Sequence, residues 1–198
     1  MSDQNNEENE QLRAMWDERY SDQEKIARPA EVVLSNSHLL PSNGTALDLA
    51  CGLGGNAVHL AALGLDVVAW DLSPVAIQRL QQLANEKNLP NLKAEVRDVE
   101  HNPPSGNQFD VIIVSYFLER SLITSLINAL KPGGLIYYQT FIRDAVSAEG
   151  PKNSSFRLAD QELLRLFNKL KIRFYREEGR LGDLSRGTRD VAMLVAEK

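Results

Sequence analysis

Three aspartates, Asp48, Asp71 and Asp98, each lie at or near the end of an apolar, strand-like run, and the first is followed by the turn Gly52-Leu53-Gly54-Gly55-Asn56-Ala57. The spacing fits G-x-G-x-x-G/A, in which glycines let a bound molecule approach the backbone and let the next helix start close against the strand. The same pattern without a ligand is a tight strand-to-helix turn. Two ligand classes compete for it. A dinucleotide places its pyrophosphate on the helix N-terminus, where unpaired N–H groups and the helix dipole favour an anion. S-adenosylmethionine presents a cationic ammonium and sulfonium instead. Asp48 lies beneath the turn, where a carboxylate repels a pyrophosphate and attracts an ammonium, directly or through water. It can also accept N–H bonds from the turn itself. Asp71, about twenty residues past the first glycine, suits both ribose hydroxyls of either ligand. Asp98 can take the amino group of an adenine while the Val99 backbone binds the ring, or it can serve as a turn residue before Asn102-Pro103-Pro104.

Groups for acid-base work are scarce. His59, on the helix after the turn, and His38, on an earlier apolar stretch, read as structural, and His101 sits in a polar loop with no evident partner. Cys51 fills a small-residue position in the turn and reads as packing. As the only cysteine it excludes an intramolecular disulfide and a multi-cysteine metal site, and it suits a reducing, cytoplasmic setting. No metal is expected.

The elements that position these residues are legible from Gly44 onward. Short apolar runs, Thr45-Ala50, Leu65-Asp71, Leu92-Asp98, Phe109-Tyr116 and Gly133-Phe141, alternate with helical patterns starting near Asn56, Ser73 and Glu119. That alternation predicts an α/β, doubly wound sheet, mostly parallel and covered by helices on both faces. Ser73-Pro74 has the form of an N-cap followed by proline at the first helical position. Lys131-Pro132-Gly133-Gly134 ends a helix and leads into a strand. After a polar loop, Arg143 to Arg157, a helix carries Leu163, Leu164, Phe167 and Leu170 on one face. Two more strand-like runs begin at Lys171 and Thr188, and the loop between them has no room for a crossover helix, so they must pair antiparallel.

The bulk properties narrow the class. A chain of 198 residues supports a single domain with its own core: a flexible acidic tail over 1–11, a helical segment over 12–40 and a core over 44–198. A net charge of -5 argues against a nonspecific nucleic-acid binder, which needs a cationic face. No run approaches a membrane span, and the polar, acidic start has no signal-peptide character. Neither the acceptor nor the oligomeric state is encoded in these patterns.

The ordered stretches ALDLACGLGGNAVHLA, DVVAWDLSP, VRDVE, FDVIIVSYF and LKPGGLIYY resemble the motifs of class I S-adenosylmethionine-dependent methyltransferases, from Thr45 to the C-terminus. The resemblance implies a seven-stranded sheet whose last strand is inserted antiparallel. It also implies S-adenosyl-L-methionine as the cofactor. Asp48, Ala50, Gly52, Gly54 and Asn56 would then hold the methionine end, Asp71 with Leu72 the ribose, and Asp98 with Val99 the adenine. Ser115, Tyr116 and Phe117 would line the methyl-donor side.

In methyl transfer the leaving group arrives on the donor, so the protein mainly aligns the acceptor and excludes water. An oxygen or nitrogen acceptor calls for a base, whereas a thiolate or a chalcogen oxyanion does not. In the N-terminal segment, Leu12, Met15, Trp16 and Tyr20 share one helical face, which can simply pack on the sheet. The pattern Trp16-Asp17-x-Arg19-Tyr20 with Arg28-Pro29 is similar to N-terminal lids of tellurite-resistance and thiopurine methyltransferases, implying that role for Trp16, Tyr20, Arg28 and Pro29. The C-terminal hairpin resembles the tellurite-resistance type, where a histidine-arginine pair and a further arginine lie near the active site. Here the stretch reads Ser185-Arg186-Gly187-Thr188-Arg189, with serine in place of the histidine. Arg186, Arg189 and Arg143 are the substrate-side candidates toward an anionic or soft acceptor; the alternative for each is a solvated charge. The expected reaction is methyl transfer to a small molecule. A non-catalytic S-adenosylmethionine-binding module and a nicotinamide-dependent oxidoreductase are the rivals.

Overall fold

A computed structural model describes residues 2–22 and 28–198. Seven strands form one sheet in the order β3-β2-β1-β4-β5-β7-β6: β1 Thr45–Leu49, β2 Asp66–Asp71, β3 Leu92–Val96, β4 Phe109–Ser115, β5 Leu130–Phe141, β6 Lys171–Arg176 and β7 Val191–Glu197. The first five run parallel. β7 is inserted antiparallel between β5 and β6, as the short last connection requires. The residues Lys131-Pro132-Gly133-Gly134 lie within β5 as a register irregularity, since Phe109 faces Leu130 and Val111 faces Leu135.

The strands bury both faces, so each contributes alternate residues to two cores. Leu47, Leu49, Ile112, Val114, Ile136, Tyr138 and Leu194 face one way, against α5 Ile123–Ala129 and α6 Glu162–Leu166. Ala46, Val67, Ala69, Val111, Ile113, Tyr137 and Val195 face the other, against α2 Glu31–Ser35, α3 Gly55–Ala62 and α4 Pro74–Glu86. Ser73 caps α4 by accepting from the Ala76 N–H, with Pro74 at the first position. The helix signal near Glu119 resolves into a 3-10 turn, Arg120–Leu122, capped by the Glu119 carboxylate, which leads into α5. Arg120 fastens this turn to α6 through Glu162, with Nε to Oε1 at 2.6 Å and a second bond at 3.2 Å.

Helix α1 runs from Ser2 to Ser21, across the boundary expected between the tail over 1–11 and the helical segment, and no glycine or proline precedes Pro29 to interrupt it. Residues 23–27 of the expected lid lie outside the described residues.

Candidate functional site at the carboxyl edge of the sheet

The glycine turn is built by backbone that other residues avoid. Ala50, Gly52 and Gly54 have φ values of 54°, 52° and 75°, which only glycine adopts without cost. A Cβ on Gly54 would stand 2.2 Å from Leu80 Cδ1 of α4, so the glycine lets α3 and α4 close together over β1. Cys51 donates its N–H to the Trp70 carbonyl at 2.9 Å, tying the turn to β2.

Two carboxylates hold the turn from below. Asp48 is fully buried, and its Oδ2 accepts from the Ala57 N–H at 2.9 Å while Oδ1 accepts from Asn56 Nδ2 at 3.3 Å. Asp71 Oδ2 accepts from the Gly52 N–H at 2.7 Å and Oδ1 from the Ser73 N–H at 2.9 Å. Burial pushes the Asp48 carboxyl up to about 7, the Asn56 and Ala57 bonds pull it back, and Asp71 adds repulsion. Asp71 is raised too, first by burial, against its N–H bonds to Ser73 and Gly52. Among the described residues neither forms an ion pair. Two buried, adjacent acids without a cation suit a cationic ligand and oppose a pyrophosphate. Cys51 lies between them; burial and both aspartates push its thiol well up, which agrees with a packing role.

The N-terminal helix covers this turn. Tyr20 reaches Gly52 so closely that a Cβ there would lie 3.0 Å from the phenol oxygen. Burial, then Asp71, raises the phenol above its usual value. Trp16 stacks on Tyr20 with centroids 5.6 Å apart, and Arg19 lies over the Trp16 ring. Asp17 docks on the start of α4, accepting from the Ser73 hydroxyl and, at 3.3 Å, from the Val75 N–H. Arg79 of α4 donates to the Tyr20 carbonyl. The sequence reading singled out Trp16 and Tyr20 but missed this docking pair, whose only signal is an aspartate between the aromatics. Arg28 is exposed and Pro29 half-buried, at the entry to α2.

Ser115 and Tyr116 end β4 beside the turn. Ser115 Oγ accepts from Asn56 Nδ2 at 3.0 Å, and the Asn56 oxygen accepts from the Ala30 N–H at 2.8 Å. Tyr116 holds a φ of 57°, a costly backbone for an aromatic residue. Its ring packs on Phe141 at 5.1 Å, and its hydroxyl meets Gln139 Nε2 at 2.8 Å. Gln139 is a further residue the sequence reading passed over, although a lone amide inside Leu135–Phe141 is itself a signal: a polar side chain buried in an apolar strand must find partners. Phe117 is half-buried against the core below.

Asp98 organises the loop after β3. Its Oδ1 accepts the Glu100 and His101 N–H groups, and Oδ2 sits 2.7 Å from His101 Nδ1. The turn role is therefore realised, and His101, expected to lack a partner, has one. Val99 is buried in the core and Leu72 half-buried at the end of β2.

The three arginines part company. Arg189 donates to the carbonyls of Gly179, Leu181, Asp183 and Arg186 and lies 3.8 Å from Glu178. Its guanidinium is committed to shaping the loop between β6 and β7. Arg143 donates to the Ser154 carbonyl at 3.2 Å. The Arg186 side chain is exposed. Among the described residues no group of three or more His, Cys, Asp or Glu is placed to hold a metal ion, and no helix is long and apolar enough to cross a membrane. A concavity of about 480 Å³ lies at the opposite edge, lined by Leu39, Asp110, Gly134 and Arg173 among others. Its charged groups are paired, Asp110 with Lys131 and Arg173 with Glu197.

Comparison with known proteins agrees with this geometry. Residues 14–192 match the family described as "Tellurite resistance protein TehB". A relative from Haemophilus influenzae, named as a probable S-adenosyl-L-methionine-dependent methyltransferase TehB, is 30% identical over 144 residues, covering 70% of this chain and 49% of its own. The chain thus spans about half the length of the curated relatives it matches. The crystal structure of TehB from Haemophilus influenzae superposes with a TM-score of 0.71 at 24% identity, over 90% of this chain and 65% of that one. A structure described by the conversion of a disulfide bond into a thioacetal group during echinomycin biosynthesis has a TM-score of 0.70 at 21% identity, covering 94% and 92%. These two likenesses show the fold.

Proposed function

Since the chain belongs to the TehB family, we propose that it transfers a methyl group from S-adenosylmethionine to a small molecule presenting a thiolate or chalcogen-oxyanion lone pair. The observation that carries this reading is the pair of buried carboxylates under the glycine turn, which have no ion-pair partner among the described residues. The residues fit the cofactor: Asp48 and Asn56 with the turn toward the ammonium, Asp71 with Leu72 toward the ribose, and the loop of Asp98 and Val99 toward the adenine. When bound, the cofactor supplies a sulfonium-activated methyl, its C–S bond breaking toward sulfur as the acceptor's lone pair forms the new bond.

The protein's own part is binding, alignment and exclusion of water. Asn56 links Asp48 to Ser115, so the methionine side and the end of β4 move as one unit. Trp16 and Tyr20 on α1 close the site from above, with Arg28 and Pro29 leading back into the fold. Arg186 supplies positive charge toward an anionic acceptor from the loop between β6 and β7, which Arg189 keeps in shape, and Arg143 adds charge from the loop after β5. With an acceptor that is already a nucleophile, no general base is required.

Calorimetric titration with S-adenosylmethionine, S-adenosylhomocysteine and reduced nicotinamide dinucleotide tests the cofactor. Binding of the first two alone is expected, and dinucleotide binding would sink the assignment. Release of S-adenosylhomocysteine with tellurite, selenite or dithiothreitol then tests turnover. A protein that binds both adenosyl ligands and releases none is a binding module.

A further inference from the structure

Two buried amides fix which way hydroxyl hydrogens point at the end of β4. A backbone N–H can only donate, so the amide atom facing it must be the oxygen. The Val32 N–H lies 2.8 Å from one end of Gln139, which makes that end Oε1. The other end, Nε2, therefore faces Tyr116 Oη at 2.8 Å and donates to it. With a lone pair of Oη taken, the phenol hydrogen must be given elsewhere. The Asn56 amide works in parallel: the Ala30 N–H pins its oxygen, so its nitrogen donates to Ser115 Oγ.

The setting makes this directionality matter. Gln139 is 1% exposed whereas Tyr116 is 53% exposed, so a buried, immobile amide aims a group that faces outward. The Tyr116 backbone is strained and tied down by its own N–H bond to the Gln139 carbonyl at 2.8 Å. Burial keeps the phenol protonated beyond its usual range; the Gln139 bond works the other way, and Glu149 and Glu31 reinforce burial. A neutral O–H donor, not a phenolate, thus stands on the residue that follows Ser115 at the carboxyl end of β4.

We propose that the Tyr116 hydroxyl donates its hydrogen bond to the methyl acceptor, with Gln139 as the positioning residue that aims it. The proposal rests on reading the carboxyl edge as the acceptor side. It selects acceptors that offer an oxygen or sulfur lone pair to the phenol hydrogen.

The test uses the full chain saturated with S-adenosylhomocysteine, titrated calorimetrically with selenite and tellurite, alongside turnover with the same anions. Tyr116→Phe is expected to weaken anion binding and lower kcat/KM by about ten- to a hundredfold, the range for a hydrogen bond to a charged group, with S-adenosylhomocysteine affinity and thermal midpoint close to the parent's. Gln139→Glu should reproduce this loss with the phenol still present, because a carboxylate accepts from both the Val32 N–H and Tyr116 and turns the phenol hydrogen inward. Gln139→Leu, free of a buried charge, should fall between the parent and Gln139→Glu as the hydroxyl rotates. Unchanged anion binding and turnover in Tyr116→Phe would overturn the proposal, as would a parallel loss of S-adenosylhomocysteine binding, which would assign Tyr116 to the cofactor. A parent protein that neither binds nor methylates the anions or dithiothreitol would overturn the acceptor class and this proposal with it.

Discussion

The two edges of the sheet treat their carboxylates in opposite ways. At the amino edge Asp110 is raised by burial but brought below its usual value overall by bonds from Lys131 and Thr45, and Glu197 is lowered by Arg173. At the carboxyl edge Asp48 and Asp71 are raised, held only by neutral N–H donors. The first edge is electrostatically complete. At the second, among the described residues, no cation is paired with either aspartate, and it holds Ala50 and Tyr116 at positive φ, the kind of strain that persists where surrounding structure over-determines it.

Glycine substitutions break this contrast most sharply. Gly54→Ala places a methyl 2.2 Å from Leu80 at φ 75° and should cost about 2–4 kcal/mol in urea unfolding. Gly133→Ala, at φ 78° with nothing within 4 Å, should cost only the backbone's share, about 1–2 kcal/mol. Equal losses would mean that the turn is not the tighter place. Next in size, Asp71→Ala should weaken S-adenosylhomocysteine binding by on the order of a hundredfold, since it removes the hydrogen bonds proposed for the ribose and frees Gly52; calorimetry reads this directly.

A pH series sharpens the electrostatic half. The folded chain holds a proton on Asp48 up to about 7, whereas the unfolded chain releases it near 3.8. Native protein therefore binds the extra proton between these values, and this group's contribution to stability falls as pH rises through that window. Ammonium binding has the opposite preference. Cofactor affinity should rise from pH 6 to pH 8 in the parent and stay flat in Asp48→Asn; parallel slopes would remove Asp48 from the site. Smallest of all, Lys131→Met should change stability by about 0–1 kcal/mol, its pair with Asp110 being partly exposed, and leave cofactor affinity untouched.

The alternation of strands with helices and the antiparallel end were legible because alternating apolar runs, the Ser73-Pro74 cap and a loop too short for a crossover are local signals with global meaning. Asp48, Asp71 and the glycine turn were legible for the same reason. What pattern alone did not reveal were contacts between distant segments: Asp17 on the start of α4, Gln139 between Val32 and Tyr116, and His101 folded back on Asp98. Each depends on side-chain direction after folding. Arg189 teaches the converse lesson, since a cation near the right place in a motif was drawn inward by four loop carbonyls. The helical face of Leu12, Met15, Trp16 and Tyr20 was legible from spacing, while the polar composition before it carried no signal for where helix α1 starts.

The docking of α1 on α4 has a kinetic consequence. Tyr20 is seated on Gly52 and the helix is held by Asp17 and Arg79, so the proposed lid predicts that a ligand for the turn enters while the helix is away. Stopped-flow association rates should then climb with ligand concentration and level off at the helix's own opening rate. Asp17→Asn should lift that plateau. A lid of this kind should also lengthen residence time once a ligand is in place, a single latch metering both arrival and departure.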